Sequence, residues 1–347
     1  MIKMMRAITA VCAAAAMAGT GWTGASAAEK VHEFKLATFT AEAAPDSTVL
    51  KNYAKEWEQK SNGRIKVEIF WGGSMGPMPR QYELVQKGVA DLTYYQQGVT
   101  PGRFPLTELI LLPYVLPDGA KGAEVGAKVL ADLNKPYLAK EYPGTKVIWL
   151  AVTRPASIFD GSKEIRSVAD LKGRRYRAPT ETISAMLKSL GANPIGLPAP
   201  LMAESLQKGT IDGVITDATG VFAFKLGGLV KYNTPMFLAV LSFGFVMNQA
   251  AYDGLPADLR KIIDDSVAGP ERAAANAKTG WGGSGAMDDY VKNSNVQPVR
   301  LDPAADQEMR RLSDEFIETK LKELDAKKLP GRAVYKQMKE LSAKYSK

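Results

Sequence analysis

Two stretches of this chain, 121 residues apart, read almost alike: "VQKGVADLTY" around Gly88 and "LQKGTIDGVIT" around Gly209. In each, a helical pattern ends on Lys-Gly, where glycine suits the left-handed position after a helix, and an Asp then precedes an apolar strand. The echo restricts the fold because each copy sits in the same wider rhythm. Upstream of the first, "EFKLATF" (Glu33 to Phe39) alternates and then turns apolar, as a strand entering a core does. Val49, Leu50, Tyr53 and Trp57 then recur at helical spacing, with Asp46 or Ser47 as the cap and Gly63 as the stop. "RIKVEIFW" is a second strand, "RQYELVQKG" a second helix and "VADLTYY" a third strand, so the chain opens β-α-β-α-β. After "TKVIWLAVT" the rhythm returns: "GRRYRAP" is a strand, "TETISAMLKSLGAN" and "PLMAESLQKG" are helices, and "TIDGVIT" is the strand after them. The pattern predicts two similarly built α/β lobes. The last third is mostly helical, at "LPADLRKIIDDSVAGPERAAANAKTG", at "AADQEMRRLSDEFIETKLKELDAK" and in a short last helix from Gly331 to Tyr345. Between the first two of these, "GWGGSG" sets four glycines within six residues, which weakens or bends a helix.

Residues 1–27 have the three parts of an export signal: Lys3 and Arg6 in a basic start, an apolar centre, and Ala25-Ser26-Ala27 before "AEK". Cleavage there starts the mature chain at Ala28 and lowers the net charge from +8 to +6 as Lys3 and Arg6 leave. The apolar centre is too short to span a bilayer, and no later run reaches the roughly 18–20 apolar residues of a membrane helix. The only cysteine, Cys12, lies inside the signal, so a mature chain without thiols has no disulfide, Cys-ligated zinc or cysteine nucleophile. The basic residues are dispersed among acids, as in "LKELDAKKLPGR", rather than gathered into the stripe that a nucleic acid requires.

Gly72-Gly73-Ser74-Met75-Gly76 has the G-x-S-x-G spacing of a hydrolase nucleophile elbow. The only histidine, His32, precedes the serine and lies a few residues into the mature chain, a poor place for a general base. The stretch is therefore read as a glycine-rich turn, with Pro77 and Pro79 delaying the next helix until about "RQYELV". No metal-ligand cluster, phosphate-binding loop or dinucleotide fingerprint is present in the sequence, so catalytic residues, metal and cofactor are all expected to be absent.

The richest constellation is "DLKGRRYRAPTETISAML". Strand alternation puts Arg175 and Arg177 on one face and Arg174 and Tyr176 on the other, and Thr180 can cap the helix that follows. A guanidinium near a helix N-terminus offers a carboxylate a bidentate pair and free backbone donors. Arg154 stands at the end of another apolar strand, between the two halves. Phe39 and Tyr94-Tyr95 occupy strand C-terminal ends, where open α/β sheets bind ligands.

With "GGSMG", "LVQKGVADL", "TPGRFPLTELILLPYVLP", "IRSVADLKGRRYRAPT", "LQKGTIDGVIT" and "FVMNQAAYDGLPADLRKII" in this order, the mature chain resembles the solute-binding proteins of tripartite ATP-independent periplasmic (TRAP) transporters, the DctP family. The order from "DLKGRRYRAPT" to "LQKGTIDG" distinguishes it from binding proteins of ABC-type importers, the main alternative, with a Ser-Lys periplasmic hydrolase and a polyanion binder as others. The resemblance implies a two-lobed α/β periplasmic binding protein with hinge-crossing strands and a long helix towards the C-terminus. Lobe I is then 28–152 plus about 245–285, and lobe II is 153–244 plus about 286–347. It also implies an organic acid held between the lobes of a periplasmic monomer, delivered to TRAP membrane subunits without stable membrane insertion of the chain itself. Carried over by position, Arg177 meets the ligand carboxylate, Thr180 is a polar pocket residue and Arg154 is a second arginine. Phe39 and the segment Tyr94, Tyr95 and Gln96 match pocket-lining loops. After "IDG" many members carry Asn or Glu, whereas this chain has Ile215, Thr216 and Asp217, which makes Thr216 and Asp217 the candidates there.

Overall fold

A computed structural model describes residues 29–236, 239–281 and 285–347. The expected export signal and Gly282 and Gly283 of the glycine-rich segment lie outside the described residues. From Val31 onward the chain is one structural unit.

The strands in chain order are β1 (His32–Thr38), β2 (Ile65–Phe70), β3 (Leu92–Gln96), β4 (Thr145–Val152), β5 (Ser157–Asp160), β6 (Arg175–Arg177), β7 (Asn193–Ile195), β8 (Gly213–Thr216), β9 (Tyr232–Thr234), β10 (Ser242–Asn248) and β11 (Gln297–Pro298). The helices are α1 (Ser47–Lys60), α2 (Gln81–Gln86), α3 (Ala120–Leu133), α4 (Glu181–Ser189), α5 (Met202–Gln207), α6 (Ala218–Ala223), α7 (Gln249–Asp253), α8 (Ala257–Ser266), α9 (Pro270–Thr279), α10 (Gly285–Asn293), α11 (Pro303–Ala326) and α12 (Gly331–Tyr345). Two sheets form, one in the order β2-β1-β3-β10-β4 and the other β11-β9-β5-β8-β6-β7.

The echo read in the sequence marks equivalent points of the two sheets. β3 lies parallel to β1 and β8 parallel to β6, each echo helix turning into its strand through a glycine of positive φ, Gly88 at 68° and Gly209 at 65°. The Asp that follows closes the strand pair in the same way in both. Asp91 accepts the Lys35 N–H at 2.8 Å, and Asp212 accepts the Arg175 N–H at 2.7 Å. A carboxylate at this point satisfies a backbone donor where regular pairing begins.

β4 leads from the first sheet to β5 of the second, and β9 leads back to β10. The two crossings run side by side: Thr153 N–H donates to Leu241 O at 2.9 Å, Ala156 N–H to Ala239 O at 2.7 Å, and Leu241 N–H to Thr153 Oγ1 at 3.0 Å. Helix α3 lies so close to this junction that side chains at two of its glycines would collide. A Cβ on Gly122 would sit 2.5 Å from Pro155 Cδ, and one on Gly126 would sit 2.3 Å from Val152 Cγ2.

Two details differ from the sequence reading: the helix after Leu255 and the cap of α1. The stretch 255–279 is two helices, because Gly269-Pro270 stops α8 and restarts α9, while Ala268 N–H joins Ile148 O at 2.9 Å. α9 packs on α3 and α10 on α6, one on either side of the glycine-rich segment, and α11 is a helix of 24 residues in the C-terminal region. Asp46 occupies the capping position of α1 but makes no capping bond; its carboxyl is turned inward. The C-terminal helix α12 returns to pack on α3. Among the described residues no helix is long and apolar enough to cross a membrane.

Candidate ligand-binding site

The "GGSMG" stretch is a turn. Gly72 N–H donates to Thr40 O at 2.9 Å and Gly73 N–H to Thr38 O at 2.8 Å, tying it to the end of β1, and Met78–Arg80 form a short 3₁₀ turn before α2. Ser74 is exposed, and among the described residues no lysine or histidine hydrogen-bonds to it.

On the first sheet, the C-terminal ends of β1 and β3 and the facing part of β10 carry a wall of nearly parallel rings. Phe39 stacks on Tyr94 (centroids 6.1 Å, 15°) and on Phe243 (5.9 Å, 14°), Tyr94 stacks on Trp149 (5.8 Å, 10°), and Phe243 stacks on Trp281 (5.5 Å, 14°). Tyr94, Trp149 and Phe243 are buried, whereas Phe39 and Trp281 are half-buried, so these two rings present the wall outward. Alternation along β3 separates the neighbours that the sequence placed together. Tyr95 points to the opposite face, into a core with Tyr82 (5.0 Å) and Phe104 (5.7 Å). Gln96 returns to the face of Tyr94. It is 6% exposed, and its Nε2 has no hydrogen-bond partner among the described residues.

Two members of this region escaped the sequence reading as site residues. Trp281 donates Nε1–H to the Tyr94 hydroxyl at 3.0 Å, and its carbonyl accepts from Thr219 Oγ1 of α6 at 3.3 Å, so it touches both lobes. A lone Trp among glycines was its only signal. Asp46, behind it, accepts from Thr40 Oγ1 at 3.0 Å, and burial pushes its carboxyl up to about 7.

On the second sheet, the arginines of "GRRYR" have different fates. Arg174 Nη2 pairs with Asp160 of β5, whose other bonds include the Tyr176 hydroxyl at 2.7 Å, so Arg174 and Tyr176 do share a face. Arg175 clasps Asp212 at 2.6 Å. Arg177 is 9% exposed, and the only hydrogen bond of its side chain among the described residues is from Nε to the Leu197 carbonyl at 3.2 Å. No carboxylate faces it among those residues, and desolvation lowers its pKa to about 10. Three residues on, Thr180 caps α4, accepting the Ile183 N–H at 3.3 Å, while its methyl abuts Gly98. Arg177 and Thr180 on β6-α4 thus stand opposite Gln96 and Gly98 at the end of β3.

Arg154 lies elsewhere. Its guanidinium is held in bidentate fashion by Asp288 of α10, at 2.8 Å and 3.0 Å, in a cavity of about 310 Å³ that Asp217, Asn233 and Lys292 also line and Arg177 does not. Asp217 caps α6 through the Gly220 N–H at 2.8 Å, and its Oδ2 has no partner among the described residues. Burial raises its pKa to about 6 against the opposing pull of Arg154. Thr216, at the end of β8, is half-buried beside it. Of the nine candidates, Phe39, Tyr94 and Gln96 share one face of the first sheet, Arg177 and Thr180 share the β6-α4 end that meets Gly98, Arg154, Thr216 and Asp217 form a further group, and Tyr95 points into the core.

Two α/β lobes joined by paired crossings, with a buried arginine at a strand end that has no counter-ion among the described residues, define a solute-binding protein. The chain belongs to the DctP family, bacterial extracellular solute-binding protein family 7, whose family model matches residues 36–323. Among solved structures, a marine-metagenome TRAP solute-binding protein specific for aromatic acid ligands, in complex with metahydroxyphenylacetate, is 30% identical with a TM-score of 0.84, covering 92% of this chain and 100% of that one. A TRAP solute-binding protein from Rhodoferax ferrireducens T118, in complex with copurified benzoate, is 28% identical with a TM-score of 0.82, over 91% and 99% of the two chains. The C4-dicarboxylate-binding periplasmic protein DctP of Rhodobacter capsulatus is 25% identical over 244 residues, 66% of this chain and 70% of that protein.

Proposed function

We propose that this chain captures an organic acid between its lobes in the periplasm, with Arg177 as receptor of the carboxylate, and delivers it to the membrane subunits of a TRAP transporter. One observation carries the reading. Arg174 and Arg175 each have an acid, whereas Arg177, more deeply buried than either, has none among the described residues. A buried cation without a counter-ion is costly, and a ligand carboxylate relieves that cost with charge-assisted hydrogen bonds. Thr180 and the α4 N-terminus add polar contacts from the same lobe, and Phe39, Tyr94 and Gln96 supply the facing wall.

Membership of an extracellular solute-binding protein family supports transport rather than catalysis, and the solved relatives that hold aromatic acids support a carboxylate as ligand. Contacts from both lobes favour the closed state, which a membrane partner can distinguish from the open one, and no chemistry on the ligand is needed. Residues 1–27 supply the export signal. Arg177→Ala is expected to weaken binding of the best organic acid found in a thermal-shift screen by about 2 kcal/mol or more, read by calorimetry. Unchanged affinity in that variant sinks the reading.

A further inference from the structure

The way Arg177 is held decides how it can meet a carboxylate, given the reading of Arg177 above, on which this inference rests. A guanidinium can grip a carboxylate along either of two edges, the side edge of Nε and one Nη or the end edge of Nη1 and Nη2. Both modes occur in this chain. Arg175 gives its side edge to Asp212, with Nε at 3.2 Å and Nη2 at 2.6 Å. Arg154 gives its end edge to Asp288, with Nη1 at 3.0 Å and Nη2 at 2.8 Å. Arg177 differs from both. Its Nε donates to the Leu197 carbonyl at 3.2 Å, and neither Nη has a partner among the described residues. Neither of these nitrogens is among the fully occluded polar atoms that lack a partner. A backbone group thus closes the side edge, and the end edge is left for a ligand.

The carbonyl that closes it is fixed from both sides. β7 runs beside β6 as far as the pair Arg177 and Ile195, and Ala178 N–H donates to Ile195 O at 3.0 Å, after which Pro179 offers no further donor. Two residues beyond Ile195, the Leu197 side chain packs against the core cluster that includes Phe159, Met202 and Val214. Pro198 follows with a φ of −57°. A residue before proline is confined to extended backbone, and this confinement sets the direction of the Leu197 carbonyl. Pro198 O in turn accepts the Leu201 N–H at 3.0 Å, closing the 3₁₀ turn Ala199–Leu201 that leads into α5. The acceptor of Arg177 Nε is therefore tied to the lobe core on one side and to a proline turn on the other.

We propose that the Leu197 carbonyl, held by Pro198, is the positioning group of the binding arginine: it engages Nε and leaves the Nη1–Nη2 edge to take the ligand carboxylate end-on, in the guanidinium plane. Pro198 acts through Arg177 and not through contact with the ligand. A long side chain loses rotamer freedom when its head group is ordered at binding, and a guanidinium already fixed at Nε has met that loss before the ligand arrives.

The test uses the mature protein, with benzoate, 3-hydroxybenzoate, mandelate and succinate as probes and calorimetry on the one that binds most tightly. Pro198→Ala frees the backbone at Leu197 while keeping its carbonyl, and is expected to weaken binding about tenfold. The same substitution placed on Arg177→Lys, which keeps the charge but has no Nε–H to position, changes affinity by less than about twofold. Pro198→Gly repeats the cycle if Pro198→Ala melts early. Nitrogen-15 spectra of the ligand-free protein give a second readout: the Arg177 Nε–H, assigned by its loss in Arg177→Lys, exchanges with water about tenfold or more faster in Pro198→Ala than in the wild type. Where no probe binds, or Arg177→Lys binds too weakly to measure, the exchange rate decides. The inference is overturned if affinity or Nε–H exchange is unchanged in both Pro198 variants, or if they weaken binding equally in the wild-type and Arg177→Lys backgrounds. Arg177→Ala measured in parallel separates the two readings. Binding that needs Arg177 but shows no coupling to Pro198 removes this inference alone, and binding that ignores Arg177 removes the carboxylate receptor as well.

Discussion

Gly98 and Thr180 touch across the two lobes so closely that a Cβ on Gly98 would sit 2.7 Å from the Thr180 methyl. Neither residue has room to give, since Gly98 is buried at the end of β3 and Thr180 is held by its capping bond to α4. Gly98→Ala is therefore expected to hold the lobes apart without disturbing either. Ligand affinity should fall about tenfold, mainly through faster release, with little change in the melting temperature of the unliganded protein. Stopped-flow release rates check this; an unaltered rate shows that the contact does not form part of the closed state.

Asp46 gives stability a pH dependence of definite sign. Its carboxyl holds the proton up to about 7 in the folded protein, whereas an unfolded Asp loses it near 3.9. The contribution is thus fully present below the unfolded value and is lost as pH rises through about 7, by an amount of the order of 2 kcal/mol or more. Glu108, which burial also raises to about 7, acts in the same direction. Asp46→Asn should flatten, though not abolish, the loss of stability between pH 5 and pH 8 in urea titrations. An unchanged slope means that Asp46 is ionised throughout that range.

Asp160 is the centre on which the lobe II face is built, since it holds Arg174, the Tyr176 hydroxyl at 2.7 Å and the backbone N–H groups of Ser162 and Lys163 at 2.8 Å each. Its side chain is 1% exposed. Asp160→Ala leaves a largely buried guanidinium and a buried phenol without their acceptor, and is expected to cost about 3–5 kcal/mol. Thermal unfolding measures the loss, and a change below about 1 kcal/mol would show that Arg174 finds another acid.

How much could be read in advance follows from distance along the chain. The β-α-β rhythm, the turn at Gly72-Gly73 and the shared face of Arg174 and Tyr176 are local matters of period and turn chemistry, and all were legible. The separation of Tyr94 from Tyr95 was also implicit in the two-residue period, although both stood as site candidates. The break at Gly269-Pro270 carried its own signal too, yet the helical periodicity on either side masked it. Which arginine lacks an acid was not legible, because Asp160, Asp212 and Asp288 reach their arginines from 14, 37 and 134 residues away. The inward turn of Asp46 likewise depends on Thr40 and on its neighbours Tyr94 and Trp281, brought together by packing that no local pattern encodes.

The paired crossings at Thr153 and Leu241 limit what the lobes can do. Two strands bonded side by side bend together like the spine of a book, and they resist sliding or twisting one half past the other. A small flexure at the spine becomes a displacement that grows with distance from it. Gln96 pairs with Phe243, two residues from Leu241, so the contact between Gly98 and Thr180 lies close to this spine, where a small wedge turns into a wide opening at the outer rims.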